Sequence, residues 1–189
     1  MAPLIFLAIL VVAIIWMVAQ YNGLITLRNQ VANGWKQIDV QLKRRHDLIP
    51  NLVSTVKGIM EFEQDTLQKV VAARSSAMSA QGAKDSAQKE GALSDALSKF
   101  FVVVEQYPQL RSSENVKSLQ EELTSTENKI SFARQFYNDI ATKYNISRET
   151  FPSSVIASTF NFAPAELFEI ADQTERAVPG VDLSMRKSS

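Results

Sequence analysis

From Pro3 to Ala19 the chain is apolar without interruption, and no acidic or basic side chain occurs before Arg28. Seventeen such residues at about 1.5 Å each make roughly 25 Å of helix, close to the hydrocarbon thickness of a bilayer. Eleven of the positions are Leu, Ile, Val or Phe, which together favour the bilayer by about 3–7 kcal/mol on insertion scales. Trp16 and Tyr21 stand where interfacial aromatics belong. A cleaved secretory signal is the competing reading, but it calls for a basic leader and a small-x-small cleavage site. Met1-Ala2-Pro3 carries no cation and Met17-Val18-Ala19 is a poor cleavage match. The run is therefore expected to be a retained anchor. Arg28, Lys36, Lys43, Arg44 and Arg45 all lie after it, so the positive-inside rule places the N-terminus outside and the body in the cytoplasm.

Beyond the anchor, the remaining length suffices for one domain with a core of its own. Lys plus Arg and Asp plus Glu are both 20, so there is no net charge to draw nucleic acid or anionic lipid. The chain contains no cysteine, which excludes disulfides, thiol catalysis and thiolate metal sites. His46 is the sole histidine. A di-iron bundle, which takes a Glu-x-x-His pair from each of two helices, is excluded with it. Glu61, Glu63, Asp65 and the pair Glu121-Glu122 are carboxylates without such partners. No phosphate-binding glycine loop, nucleophile elbow or zincin helix occurs. The expectation is accordingly no catalytic residue, no cofactor, no metal and no enzyme.

Helical periodicity organises the rest of the chain. Leu24, Val31, Trp35, Ile38, Leu42, Ile49, Val53, Val56 and Met60 recur at threes, fours and sevens, continued by Leu67 and Val70 or Val71. The pattern predicts a helix of about 50 residues leaving the membrane directly, bent or split near Leu48 and Ile49 by Pro50. A second series, Val116, Leu119, Leu123, Thr126, Ile130, Ala133, Tyr137, Ile140 and Tyr144, predicts a long helix packed lengthwise on another. Ser112 or Ser113 is its natural N-cap. Ser75 to Lys89, rich in Ser, Ala, Gln and Lys, reads as a mobile connection, and Gly91 to Val104 as a shorter helix stopped at Tyr107-Pro108. Phe151-Pro152-Ser153-Ser154 caps a short apolar turn, Pro164 opens an amphipathic stretch to Arg176, and Pro179-Gly180 releases a tail. The expected fold is all-α: a transmembrane helix over 1–20, an antiparallel three- to four-helix bundle with long helices over 21–145, and short helices with a polar tail over 146–189.

The stretch from Trp35 to Gly58, with Lys43-Arg-Arg-His-Asp-Leu-Ile-Pro-Asn-Leu52 at its centre, closely resembles the signature of the bacterial LemA family. Tyr21-Asn22, Arg28-Asn29, Ala73-Arg74, Glu105-Gln-Tyr-Pro-Gln-Leu110, Leu119-Gln-Glu-Glu-Leu123, Glu127-Asn-Lys-Ile130, Ala133-Arg134, Tyr137-Asn138 and Phe151-Pro-Ser153 fall in that family's order and spacing. The resemblance covers nearly the whole chain. It implies a single-span protein of the bacterial inner membrane with a long-helix bundle, an envelope role and no established catalytic activity.

Three groups of side chains are the candidates for a site. Lys43, Arg44 and Arg45 form the basic cluster. It lies roughly 30 Å of helix from the membrane end, so it is read as a solvated face paired with carboxylates such as Asp39, Asp47, Glu61 and those of the third helix rather than as a lipid or nucleic-acid contact. Asp39, Asn51, Asn128, Arg134 and Asn138 lie beside the packed seams and are expected to bridge the long helices as a polar network that fixes register, with Asp47 or Glu122 as further partners. Phe151, Phe160, Phe162 and Phe168 crowd a short segment and are expected either to cover the end of the bundle or to contact a neighbouring subunit or the membrane surface. The sequence thus points to a membrane-anchored, self-associating scaffold or adaptor of the envelope. The alternative is a regulatory module for a membrane peptidase or envelope-stress pathway, with a membrane protein as its partner.

Overall fold

A computed structural model describes residues 2–59 and 63–169. Among them there are six helices and no strand: α1 (Ala2–Ile59), α2 (Gln64–Met78), α3 (Gly82–Val104), α4 (Pro108–Arg111), α5 (Glu114–Glu149) and α6 (Ser153–Thr159). The apolar run is the first part of α1. Its large side chains from Leu4 to Val18 are exposed, with no other part of the protein around them. This is one helix long and apolar enough to cross a membrane, and it leads directly into the bundle.

Both long helices obey the predicted periodicity. In α1 the large buried apolar positions are Leu24, Ile38, Leu42, Leu48, Ile49, Leu52 and Val56; in α5 the buried positions are Val116, Leu123, Thr126, Ile130, Tyr137, Ala141 and Tyr144. Ser113 caps α5, its Oγ accepting from the Val116 N–H at 3.5 Å. α5 runs antiparallel to α1. Its first turns pack with Leu52 and Val56 at the end far from the apolar segment, and Tyr144 packs with Leu24 at the near end.

A two-helix seam has an open side, and different parts of the chain cover it at different heights. In the far half it is the α2/α3 hairpin: Leu67, Val70, Leu93, Leu97 and Phe100 join Ile49, Leu52 and Val56 in one cluster. α3 begins at mid-height, where Ala83 and Ala87 pack with Ile38, Leu42, Ile130 and Tyr137. In the near half the cover is α6 and the segment after it, which bring Ile156, Ala157 and Phe162 onto Leu24 and Tyr144.

Three sequence expectations are corrected. Ser75 to Lys89 is no mobile connection: α2 and α3 leave only residues 79–81 between them. Ala77, Ala83, Ser86 and Ala87 are buried there, small side chains that admit a close helix neighbour without an apolar signal in the sequence. Gly82 enters α3 at φ +78°, where a Cβ would lie 3.1 Å from the Glu166 carboxylate. Of the amphipathic stretch expected from Pro164 to Arg176, residues 164–169 are not helical; the rest of that stretch and the polar tail lie outside the described residues, as does Met60.

The third concerns Pro50, which does not split the helix: α1 is continuous through it and ends at Ile59. Proline has no N–H, so the carbonyl four residues back, His46 O, loses its helical donor. Arg74 of α2 supplies the replacement: its Nε donates to His46 O at 2.7 Å. The proline thus creates an acceptor inside α1 that the hairpin satisfies. A double-mutant cycle tests this coupling. Arg74→Ala is expected to cost about 1–3 kcal/mol, the penalty for an abandoned acceptor. In a Pro50→Ala background, where residue 50 can donate to His46 O, that cost is expected to fall by about 1 kcal/mol or more in denaturant unfolding. Equal costs in the two backgrounds would refute it.

Candidate functional site

Within α1 the helical twist splits the basic run. Lys43 and Arg44 are exposed, and Arg44 reaches Glu122 at 3.7 Å across solvent. Arg45 and His46 turn inward, at 3% and 8% exposure. Lys43 and Arg44 thus lie on the exposed face of α1 and Arg45 does not. Around Arg45 a polar node joins three helices. Its Nη2 donates to Ser94 Oγ at 2.8 Å, and its Nη1 lies 3.2 Å from Glu90 Oε2 and 3.0 Å from Glu127 Oε2. His46 Nε2 lies 2.6 Å from the other oxygen of Glu90, with the imidazole as donor to the carboxylate. Glu90 is 4% exposed, while Glu127 stands at the half-exposed rim. Glu90 has both oxygens engaged, an arrangement suited to holding helices and poorly suited to proton abstraction. The node fixes register, because sliding the α2/α3 hairpin along α1 would take Glu90, the buried one of its two counter-charges, away from Arg45.

Nearer the apolar segment lies the second constellation. After α6 the chain turns at Asn161, at φ +52°, and the Phe162 N–H reaches back to Ala157 O at 2.9 Å, which closes the helix end. Residues 162–169 then form a strap along α5. Tyr144 donates to Ala163 O (2.9 Å) and Tyr137 to Glu166 O (2.7 Å). Asn145 accepts from the Ala165 N–H and donates to Ala165 O, both at 2.9 Å. Asn138 does the same to Phe168, at 2.9 and 3.1 Å. The two Tyr-Asn pairs are seven residues apart on α5 and their targets are three apart on the strap. Seven helical residues rise about 10.5 Å and three extended residues span about 9–10 Å, so the two repeats match. Of the strap's side chains Phe162 and Phe168 are buried and Ala165 and Leu167 partly so; Phe162, Ala165 and Phe168 recur at the same interval. Arg28 sits over the Phe162 ring at 5.4 Å and Arg134 over the Phe168 ring at 5.1 Å. Trp35 stands 6.1 Å from Phe168, centroid to centroid.

The candidate residues from sequence are thus divided. Asn138 and Arg134 both meet Phe168 of the strap. Asp39, Asn51 and Asn128 are exposed at separate places, as is Asp47; Glu61 lies outside the described residues. Phe162 and Phe168 are buried inside the protein rather than offered to a partner, whereas Phe151 and Phe160 are exposed. Phe160 packs edge-on against Tyr21, 4.9 Å between centroids. Glu90, Ser94, Arg74 and Asn145 are site residues that sequence reasoning misses. The repeat Tyr137-Asn138, Tyr144-Asn145 is the available signal for the last of these. Among the described residues no cluster of three or more His, Cys, Asp or Glu is placed to hold a metal ion.

Comparison with known proteins supplies the context. The family model described as "LemA family" matches residues 34–183. Magnetosome protein MamQ 2 of Paramagnetospirillum magneticum is 24% identical over 195 residues, covering 86% of this chain and 72% of the relative. Protein LemA of Metamycoplasma hominis is 26% identical over 160 residues, covering 84% and 73%. Magnetosome protein MamQ of Magnetospirillum gryphiswaldense is 23% identical over 185 residues, covering 84% and 68%.

Two outcomes are expected. Glu90→Ala leaves Arg45 with Glu127 and Ser94 alone and His46 Nε2 without its partner, at a cost of about 1–3 kcal/mol; for a protein of this size the thermal midpoint falls by roughly 2–12 °C, and a fall under about 1 °C in a calorimetric scan would sink the node as a structural lock. The second concerns Tyr137 and Tyr144. Burial raises both phenols above the ordinary value of 10.0; the Glu166 carboxylate adds to this at Tyr137, and Arg28 and Arg148 oppose it at Tyr144. Because the folded state favours the protonated form, their stabilisation is complete below about pH 10 and disappears as pH rises through the higher folded values. Above about pH 10 the wild-type thermal midpoint is expected to drop more steeply than that of Tyr137→Phe/Tyr144→Phe; parallel curves would contradict it.

Proposed function

This chain belongs to the LemA family, and on that premise we propose that it is a membrane-anchored, self-associating scaffold of the bacterial envelope. The apolar part of α1 serves as the anchor, with the N-terminus outside and the bundle on the cytoplasmic side of the inner membrane. The bundle associates laterally with other copies, because a shared anchor raises local concentration and lets weak faces assemble.

The observation that supports association is the back of the α1/α5 pair. The α2/α3 hairpin, α6 and the strap cover the front of the seam. On the other side Phe132, Phe136 and Val40 are 73%, 48% and 62% exposed. They line one shallow groove together with Lys36 and Lys129. Phe132 and Phe136 are one turn apart on α5 and share a face with Val40 of α1, so this is a contiguous apolar strip on regular helix. Covering it stabilises an assembly without rearranging the core. It replaces the buried Phe162 and Phe168 as the expected contact.

Full-length protein in mild detergent, sized by light scattering with the detergent contribution subtracted, tests the reading. An assembly several times the 21.1 kDa chain mass is expected, with Phe132→Ser/Phe136→Ser shifted to smaller species at unchanged helicity. A wild-type protein that stays at the mass of one chain across the accessible concentration range would overturn self-association.

A further inference from the structure

We propose that the groove holding the strap is a binding site for extended polypeptide, filled in one copy by its own residues 162–168 and able to take the same segment from a second copy. The inference rests on self-association as the source of the neighbour, but it concerns a face of the bundle different from the exposed strip. Its basis is how the strap is held. All six hydrogen bonds from Tyr137, Asn138, Tyr144 and Asn145 go to main-chain atoms. A site that pairs its amides and phenols with main chain reads an extended segment by spacing, with the side chains adding a check at every third position. Here that check is aromatic, small, aromatic: Phe162, Ala165 and Phe168, with Leu167 adding a partly buried apolar contact, while Ala163, Pro164 and Glu166 are exposed. The ligand class is therefore an extended Phe-x-x-Ala-x-x-Phe segment, a helix-lined counterpart of the grooves that bind polyproline-type peptides.

A second copy is the occupant because it carries this segment at the right place. Phe160 and Phe162 pack on Tyr21, immediately after the apolar run. In copies anchored in one bilayer, strap and groove therefore stand at the same height above the surface. Exchange of an identical element between such neighbours conserves every bond of the closed form and adds a link between copies.

Two complementary full-length variants test this in detergent. Asn138→Ala/Asn145→Ala has a strap and no amide clamps; Ala165→Asp/Phe168→Ser has the clamps and a strap that no longer fits. Mixed under separate affinity tags, the two are expected to co-purify one to one, and each is expected to lose strap-dependent pairing with itself. A fluorescent synthetic peptide of residues 160–169 is expected to bind the strap-deficient variant, to displace the clamp-deficient partner and to miss the clamp-deficient variant. Since clamp removal can disturb folding, the strap-deficient variant is also tested with Tyr137→Phe/Tyr144→Phe; peptide affinity is expected to fall about tenfold at unchanged helicity. No peptide binding to a folded strap-deficient variant, or co-purification of the mixed pair no greater than of each variant with itself, overturns the exchange. If wild-type assemblies persist in that case through the Phe132/Phe136 strip, the scaffold reading stands alone. If the mixed pair forms while Phe132→Ser/Phe136→Ser abolishes larger assemblies, both readings hold on separate surfaces.

Discussion

Two antiparallel helices do not make a core: each buries one stripe against the other, and the groove beside their seam stays wet until a third body fills it. That constraint governs this chain. α1 and α5 share a seam from Leu24 and Tyr144 at one end to Val56 and Val116 at the other. The hairpin after α1 is too short to cover it all, since α2 has 15 residues and α3 has 23. The near half must be covered from elsewhere, and the segment C-terminal to α5 does so. A seven-residue helix and a non-helical strap complete the work of a third helix. The strap has no backbone ladder of its own, so the main-chain groups it buries against α5 need side-chain partners. The Tyr-Asn pairs supply them.

Arg45 and Glu90 divide the labour differently. Their ion pair in a nearly dry setting does not add much net stability over an apolar contact of the same volume, because desolvation offsets the attraction. Its contribution is intolerance of error. Leucines and alanines on adjoining helices can slide by a turn and still find apolar neighbours, whereas a guanidinium that misses its carboxylate cannot. With Arg74 on the carbonyl freed by Pro50, α2 and α3 are each tied to α1 by a polar contact within two turns of one another. The stretch from Arg45 to Pro50 thus reads as one device: a cation, an imidazole and an uncapped carbonyl, all addressed to the same hairpin.

How much of this is legible in the sequence depends on the kind of signal. α1 and α5 are readable because large apolar residues mark their period over many turns. The front half of the hairpin is not, because Ala77, Ala83, Ser86 and Ala87 are buried for their smallness, and a run of small and polar residues looks the same in a linker. The node is half visible: the basic run stands out, but which of its members faces inward depends on Glu90, 45 residues away from Arg45. Asn138 and Arg134 are recognisable as seam residues, yet their partner lies on the strap and not on another helix. The strap itself has no period of two or 3.6 to betray it. Its spacing of three has meaning only beside the sevenfold repeat on α5.

The continuity of α1 carries a mechanical consequence. The helix that enters the apolar segment is the same one that carries Ile38, Arg45 and Val56, with no break among residues 2–59. From Gln20 to Ile59 the rise is about 58 Å. With the apolar segment anchored as proposed, a helix of that length would turn orientation within the bilayer into position above it: a change in tilt of about 20° would sweep the far end through about 20 Å. The bundle is built around that helix, so bilayer thickness and lateral crowding would act on it as on the short arm of a lever.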